Sequence, residues 1–186
     1  MSQTALYFIA LIPDEKLRDK VRLLKEEFRY RFDVKHALKS PAHITLQRPF
    51  RRDESQEEKI IKALESFSKD QEVFEVNLSG FGCFEPRVIF INVADHKKTE
   101  QLHLKLNQVL LKNLDFLEKE MNIKIHPHMT LATRDLEKSL FYKAWEEFKN
   151  RTFTAGFKVK SLFLLKHNGK YWDIYREFPF LTKETG

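Results

Sequence analysis

Residues 42–47, AHITLQ, and residues 128–132, HMTLA, carry one pattern twice: His43-Ile44-Thr45-Leu46 and His128-Met129-Thr130-Leu131, each with a proline just upstream, Pro41 and Pro127. Two matches to His-x-Thr-Leu lie far above what random placement of these residue types gives. Both stretches alternate as strands, and in a strand residues i and i+2 share a face. His43 with Thr45, and His128 with Thr130, therefore each present an imidazole and a hydroxyl side by side. Ile44, Leu46, Met129 and Leu131 point the other way, into a core.

Around each copy the same order of elements can be read. Upstream of the first, residues 4–12 (TALYFIALI) form a short apolar strand ending at Pro13, followed by a helix with Leu17, Val21, Leu24 and Phe28 at helical spacing. Downstream, Ser55-Gln56-Glu57-Glu58 reads as a capping box for a helix bearing Ile60, Ile61, Leu64 and Phe67. Residues 72–79 then alternate, with Phe74, Val76 and Leu78 on one face. In the second half, residues 87–93 (RVIFINV) are the apolar strand and 97–120 a helix with Leu102, Leu106, Val109 and Leu117. After the second motif, Asp135 is placed to cap a helix bearing Leu140, Ala144, Trp145 and Phe148. Two long strands, about 152–166 and 171–178, close the chain as a hairpin around His167-Asn168-Gly169-Lys170, where Asn-Gly is a turn signal. The expected fold is α+β and pseudo-duplicated, with antiparallel or mixed sheets lining a central cleft and helices outside. The chain reads as one domain, residues 1–186, with lobes of about 1–80 and 81–186 between which strands can be exchanged.

Composition sets the outer limits. With 42% hydrophobic residues and 17 Phe against 5 Gly and 6 Pro, there is ample material for a packed interior and little for linker. No run of about 18 apolar residues occurs, and the opening MSQTALYFIALIPDEK lacks a basic n-region and a cleavage site, so the expected address is the cytoplasm, with no membrane partner. The single Cys83 forms no internal disulfide and suggests no thiolate metal site. A net charge of +6 favours an anionic partner such as nucleic acid or a phosphorylated small molecule. No Walker, Rossmann or nucleophile-elbow motif is present, which argues against nucleoside triphosphate, dinucleotide and serine-hydrolase chemistry.

If the lobes pack about a pseudo-twofold axis, the two His-Thr pairs converge across one cleft. Two imidazoles with reference pKa near 6.5 can divide the roles of base and acid, and two hydroxyls can donate to non-bridging phosphate oxygens. Such a site suits metal-free transfer at a phosphodiester. The paired motifs HITL and HMTL resemble those of the two-histidine phosphoesterase superfamily, especially its bacterial RNA 2′,3′-cyclic phosphodiesterases, also called 2′-5′ RNA ligases. LSGFGCFEPRVIFINV at 78–93 and LFLLKHNGKYW at 162–172 are similar to that branch as well, so the resemblance spans nearly the whole chain. It implies His43 and His128 as general acid and base, Thr45 and Thr130 as phosphate ligands, no cofactor or metal, and opening of 2′,3′-cyclic phosphate ends to 2′-phosphates. The implied partners are RNA ends or nucleotide 2′,3′-cyclic phosphates, bound by a monomer. Alternatives at the same site are 2′-5′ phosphodiester cleavage or ligation; outside enzymology, it is a module that only grips RNA ends.

Further residues are candidates for substrate contact. Relatives often carry Arg directly after the second motif stretch, where this chain has Thr133 and then Arg134, which shares the His128 face only if the strand stays extended. Arg48, with Lys39, Arg51 and Arg52, forms a basic cluster beside the first motif. Phe84 is the best placed aromatic for stacking on a base. His126 and His128 fall on one face, but no carboxylate, cysteine or second histidine cluster adjoins them to complete a metal shell. His36, His96, His103 and His167 are expected at the solvated surface.

Overall fold

The computed structural model describes residues 3–181. Eight strands and four helices run in the order β1 (Thr4–Leu11), α1 (Glu15–Phe32), β2 (Ile44–Asp53), α2 (Glu57–Lys69), β3 (Phe74–Phe84), β4 (Val88–Val93), α3 (Lys97–Asn113), β5 (His128–Ala132), α4 (Lys138–Phe148), β6 (Thr154–Val159), β7 (Ser161–His167) and β8 (Trp172–Pro179). They form two four-stranded sheets, β2-β1-β7-β8 and β5-β4-β3-β6, antiparallel at every strand pair. The α+β, two-sheet architecture expected from the repeated pattern is present.

The chain passes from the first sheet to the second between α2 and β3, at about residue 74. β3 belongs to the second sheet, and the chain returns to the first sheet for β7 and β8. The second sheet is thus built from the continuous stretch 74–159, inserted between α2 and the closing hairpin. The long strand expected over 152–166 is two strands, because β6 pairs with β3 and β7 with β1. Each pairing satisfies an inner strand of a different sheet, which no local pattern encodes. By position, β2, β1, β7 and β8 correspond to β5, β4, β3 and β6, so each His-x-Thr motif lies on an edge strand.

Several local expectations shift for identifiable reasons. β3 runs on past residue 79 to Phe84, because Gly80 at φ 65° absorbs a register shift between Leu78 and Phe81. Ser55 makes no cap for α2; Asp53 accepts from the Ser55 N–H at 2.9 Å and starts a short 3₁₀ turn before the helix. Asp135 does not cap α4 either. Its Oδ2 accepts from the backbone N–H groups of Lys35 and His36, both at 2.8 Å, and so ties the loop after α1 to the end of β5. The third helix ends at Asn113, leaving Leu117 exposed.

Ile44, Leu46, Met129 and Leu131 are buried at 0–1% exposure, as strand alternation requires. Where the lobes meet, Phe28 of α1 stacks on Phe148 of α4 (4.6 Å between ring centroids), and Phe81 of β3 meets the same ring edge-on at 5.3 Å. Arg151 lies over the Phe148 ring and donates two hydrogen bonds to Glu27 of α1. His103 is a second tie. Expected at the surface, it is buried, with Nδ1 2.9 Å from the Leu46 carbonyl of β2 and Nε2 2.9 Å from the Asn122 carbonyl.

Candidate active site

The edge strands β2 and β5 are in contact, which places the two motifs against one another across the sheets. Each imidazole is held in the same way. His43 Nδ1 lies 2.7 Å from the Pro41 carbonyl, and His128 Nδ1 lies 2.6 Å from the His126 carbonyl, in both cases two residues upstream. A carbonyl only accepts, so both rings carry the proton on Nδ1 when neutral, and Nε2 is the atom left for chemistry. Each ring also leans on a phenylalanine of the neighbouring inner strand. Phe8 of β1 sits 4.8 Å from His43 at an interplanar angle of 48°, and Phe90 of β4 sits 4.8 Å from His128 at 49°. Two equivalent seats, built from strands of unlike sequence, hold the two histidines.

A cavity of about 220 Å³ opens at this junction, lined by His43, Thr45, Thr130 and Arg134 among others. His128 does not line this cavity itself; it lies two residues before Thr130 on the same face of β5. Arg134 does not reach the cavity by strand parity. The strand stops at Ala132, and Arg134 stands in the left-handed region at φ 53°, where a non-glycine residue is strained. Thr133, one residue earlier, lines the cavity too. Phe84 is 41% exposed and meets His128 edge-on at 5.1 Å, without lining the cavity. Arg48 is elsewhere: its guanidinium donates to the backbone carbonyls of Lys119 and Glu120. The basic cluster beside the first motif is used in part for structure, since Arg52 likewise pairs with Glu120 at 2.8 Å.

Further residues line the cavity that were not assigned to the site from sequence, among them His36, which was expected at the solvated surface. Phe8, His36 and Lys25 come from β1, the loop after α1 and α1 itself. Lys25 is 4% exposed, and its Nζ donates to the carbonyls of Ala37 (2.9 Å) and Ser40 (3.1 Å). It had a signal: the buried stripe of α1 is Leu17, Val21, Lys25, Phe28 and Phe32, so a cation occupies an apolar position. Burial lowers its ammonium to about 8. Burial first, then the charge of Lys25, push the His43 imidazole down to about 4, against the pull of the Pro41 carbonyl. Burial also lowers His128, against its hydrogen bond to the His126 carbonyl. His43 is therefore neutral at pH 7 in the free protein, and burial shifts His128 toward its neutral form.

Removing the Lys25 charge is expected to raise the His43 pKa. Lys25→Met also leaves two carbonyls without their donor, at about 1–3 kcal/mol. Titration of the His43 ring protons by NMR separates the two effects, because a purely structural lysine leaves that titration where it is.

Among the described residues, no group of three or more His, Cys, Asp or Glu is arranged to hold a metal ion, and no helix is long and apolar enough to cross a membrane. A sequence profile of the 2′-5′ RNA ligase superfamily matches residues 13–170. The chain belongs to that superfamily. A Geobacillus sp. (strain WCH70) protein, provisionally named a phosphoesterase, is 28% identical over 96% of this chain and 98% of its own length. The superfamily fold is also found in solved structures. TT0787 of Thermus thermophilus superimposes with a TM-score of 0.69 at 18% identity, over 96% of this chain and 99% of its own. E. coli LigT complexed with 3′-AMP does so with a TM-score of 0.63 at 15% identity, over 97% and 100%. Superfamily membership and relatives named as phosphoesterases support an enzyme acting on phosphodiester bonds.

Proposed function

We propose that the protein opens 2′,3′-cyclic phosphate ends of RNA or nucleotides, without a metal, by general acid and base catalysis from His43 and His128. The observation that carries this reading is the pair of equivalent histidine seats, each committing Nδ1 to a backbone carbonyl and leaving Nε2 for chemistry, with His43, Thr45 and Thr130 lining one cavity and His128 two residues from Thr130 on the same strand face. A pair of imidazoles so presented can remove one proton and deliver another in the same displacement.

His43, held neutral by burial and by Lys25, takes the proton from a water molecule that attacks phosphorus. His128, protonated, gives its Nε2 proton to O3′ as the P–O3′ bond breaks, leaving a 2′-monophosphate. The Thr45 and Thr130 hydroxyls donate to the non-bridging oxygens, and the Arg134 guanidinium adds charge where the phosphorane becomes more negative. The 3′-AMP bound by LigT, a protein of the same fold, supports a ribonucleotide phosphate as the class of ligand. The superfamily's name favours a second reaction at the same site. A ribose 5′-hydroxyl in place of water, attacking phosphorus with loss of the same O3′, creates a 2′-5′ linkage.

Phosphorus NMR of the protein with a dinucleotide ending in a 2′,3′-cyclic phosphate, in excess EDTA, tests the proposal. The expected result is replacement of the cyclic resonance by that of a 2′-monophosphate. A 3′-monophosphate would reverse the leaving oxygen, activity lost to the chelator would reject the metal-free mechanism, and an unchanged cyclic phosphate would reject hydrolysis in favour of a module that only binds.

A further inference from the structure

The cavity beside His43 measures about 220 Å³, below the roughly 300–1,000 Å³ of a site that encloses a small ligand. It has room for the phosphate end of a substrate and little more. A second, larger groove of about 770 Å³ adjoins it, and the two share Lys25, Lys39, Ser40 and Trp172 as lining. Its walls are the outer turns of α1, the loop at residues 35–42 and the tip of the β7–β8 hairpin.

The groove is basic with little of that charge neutralised. Arg18, Arg22, Lys39 and Lys170 line it, and among the described residues none of these four forms a salt bridge with a carboxylate. Its two acids are Asp19 and Glu26, and Glu26 is already paired with Arg29 at 2.8 Å. At the hairpin tip, Tyr171 is 44% exposed, with the Lys170 ammonium 5.0 Å from its ring centroid. Rings also mark the way in: Phe8 lies 4.8 Å from His43 and 4.7 Å from Trp172.

Both walls are fixed before any ligand arrives. Asn168 Oδ1 accepts from the N–H groups of Lys170 (3.0 Å) and Tyr171 (2.7 Å), so the tip cannot swing freely. The opposite loop is held by Asp135 from one side and Lys25 from the other. A preformed channel of cations without carboxylate partners, with the exposed Tyr171 ring at its rim, suits a single-stranded polynucleotide: charge along the phosphates and a flat surface for a base.

We propose that this groove binds the backbone of an RNA chain whose terminal phosphate sits in the His43 cavity, so that the preferred substrate is an oligonucleotide and not a cyclic mononucleotide. The inference rests on the cyclic-phosphate reading for what occupies the cavity, and on the groove itself for what extends beyond it.

The test compares wild type with the double variant Arg22→Glu/Lys170→Glu, both positions being exposed and outside the small cavity. Substrates are a 2′,3′-cyclic mononucleotide and an RNA of about eight nucleotides with the same end, at low and moderate salt. Wild type is expected to favour the oligomer by on the order of tenfold in kcat/KM at low salt, with a steep fall as salt rises. The double variant is expected to lose that preference, to show a salt slope shallower by about 0.7 for each phosphate contact removed, and to turn over the mononucleotide as wild type does. A wild type with no preference for length, or a double variant that keeps preference and slope, overturns the groove while leaving cyclic-phosphate hydrolysis in place. If wild type turns over neither substrate, hydrolysis fails. The groove is then read by fluorescence anisotropy of the same RNA: binding lost in the double variant upholds it, and unchanged binding rejects it. Competition by polyglutamate as effective as that by RNA of equal charge rejects RNA as the occupant.

Discussion

His43→Ala and His128→Ala are each expected to lower kcat/KM on a cyclic phosphate by about 10²–10⁴-fold, the usual worth of a positioned proton-transfer group, with the fold intact. The double variant should lose little beyond the worse single one, because the pair acts in one displacement and residues that act as a unit are not additive. The pH profile carries the same information. His43 must be neutral and His128 protonated, and both are lowered, His43 to about 4. For wild type, kcat/KM should therefore rise as pH climbs through about 4 and fall again as His128, held below the ordinary imidazole range by burial, loses its proton. Since the rings sense one another, the two limbs belong to the pair. Each alanine variant should lose the limb of the group removed. Full activity in either variant, or a profile flat across the range from about 4 to neutral pH, would sink the two-histidine mechanism.

Phe148→Ala should have the largest effect on stability. The side chain is fully buried, stacked on Phe28 of α1, edge-on to Phe81 of β3 and covered by Arg151. Its removal opens a cavity where elements of both lobes meet, costing about 3–5 kcal/mol. For a chain of this size that is a fall in Tm of roughly 6–20 °C. Because α1 also carries Lys25, loosening its seat on α4 should cost activity at temperatures where the protein is still folded. Tyr30→Ala, on the same helix but 78% exposed, should stay within about 0.5 kcal/mol of wild type and serves as the control in thermal or urea unfolding. A Phe148→Ala protein as stable as that control would show that the interface between lobes is held elsewhere.

Much of the site was legible because its chemistry is local. An imidazole and a hydroxyl two residues apart in a strand share a face whatever surrounds them, and the duplicated pattern points to two such pairs. The apolar residues between them are buried as alternation demands. What was not legible depends on contacts distant in sequence. Arg134 reaches the cavity through a left-handed turn, and strand parity holds only for extended backbone. Arg48 is drawn to carbonyls more than seventy residues away. His103 is buried between the Leu46 and Asn122 carbonyls, the second of which also accepts from the Asn107 amide, and Asp135 leaves its helix to hold a loop of the other lobe. Polar side chains go to whichever backbone group lacks a partner, and that is known only once the elements are packed.

The sequence by itself determined the order of most elements, their duplication, the faces of the motif strands and the residue types at the chemical centre, since all of these follow from spacing and alternation along a few residues. Only the tertiary structure decided that the second lobe is an insertion within the first, that a buried lysine stands beside His43, and that a basic groove runs from the cavity along α1. Each of these arises where segments far apart in the chain close on one another, and the free energy that brings them together belongs to the packed whole and not to any local stretch.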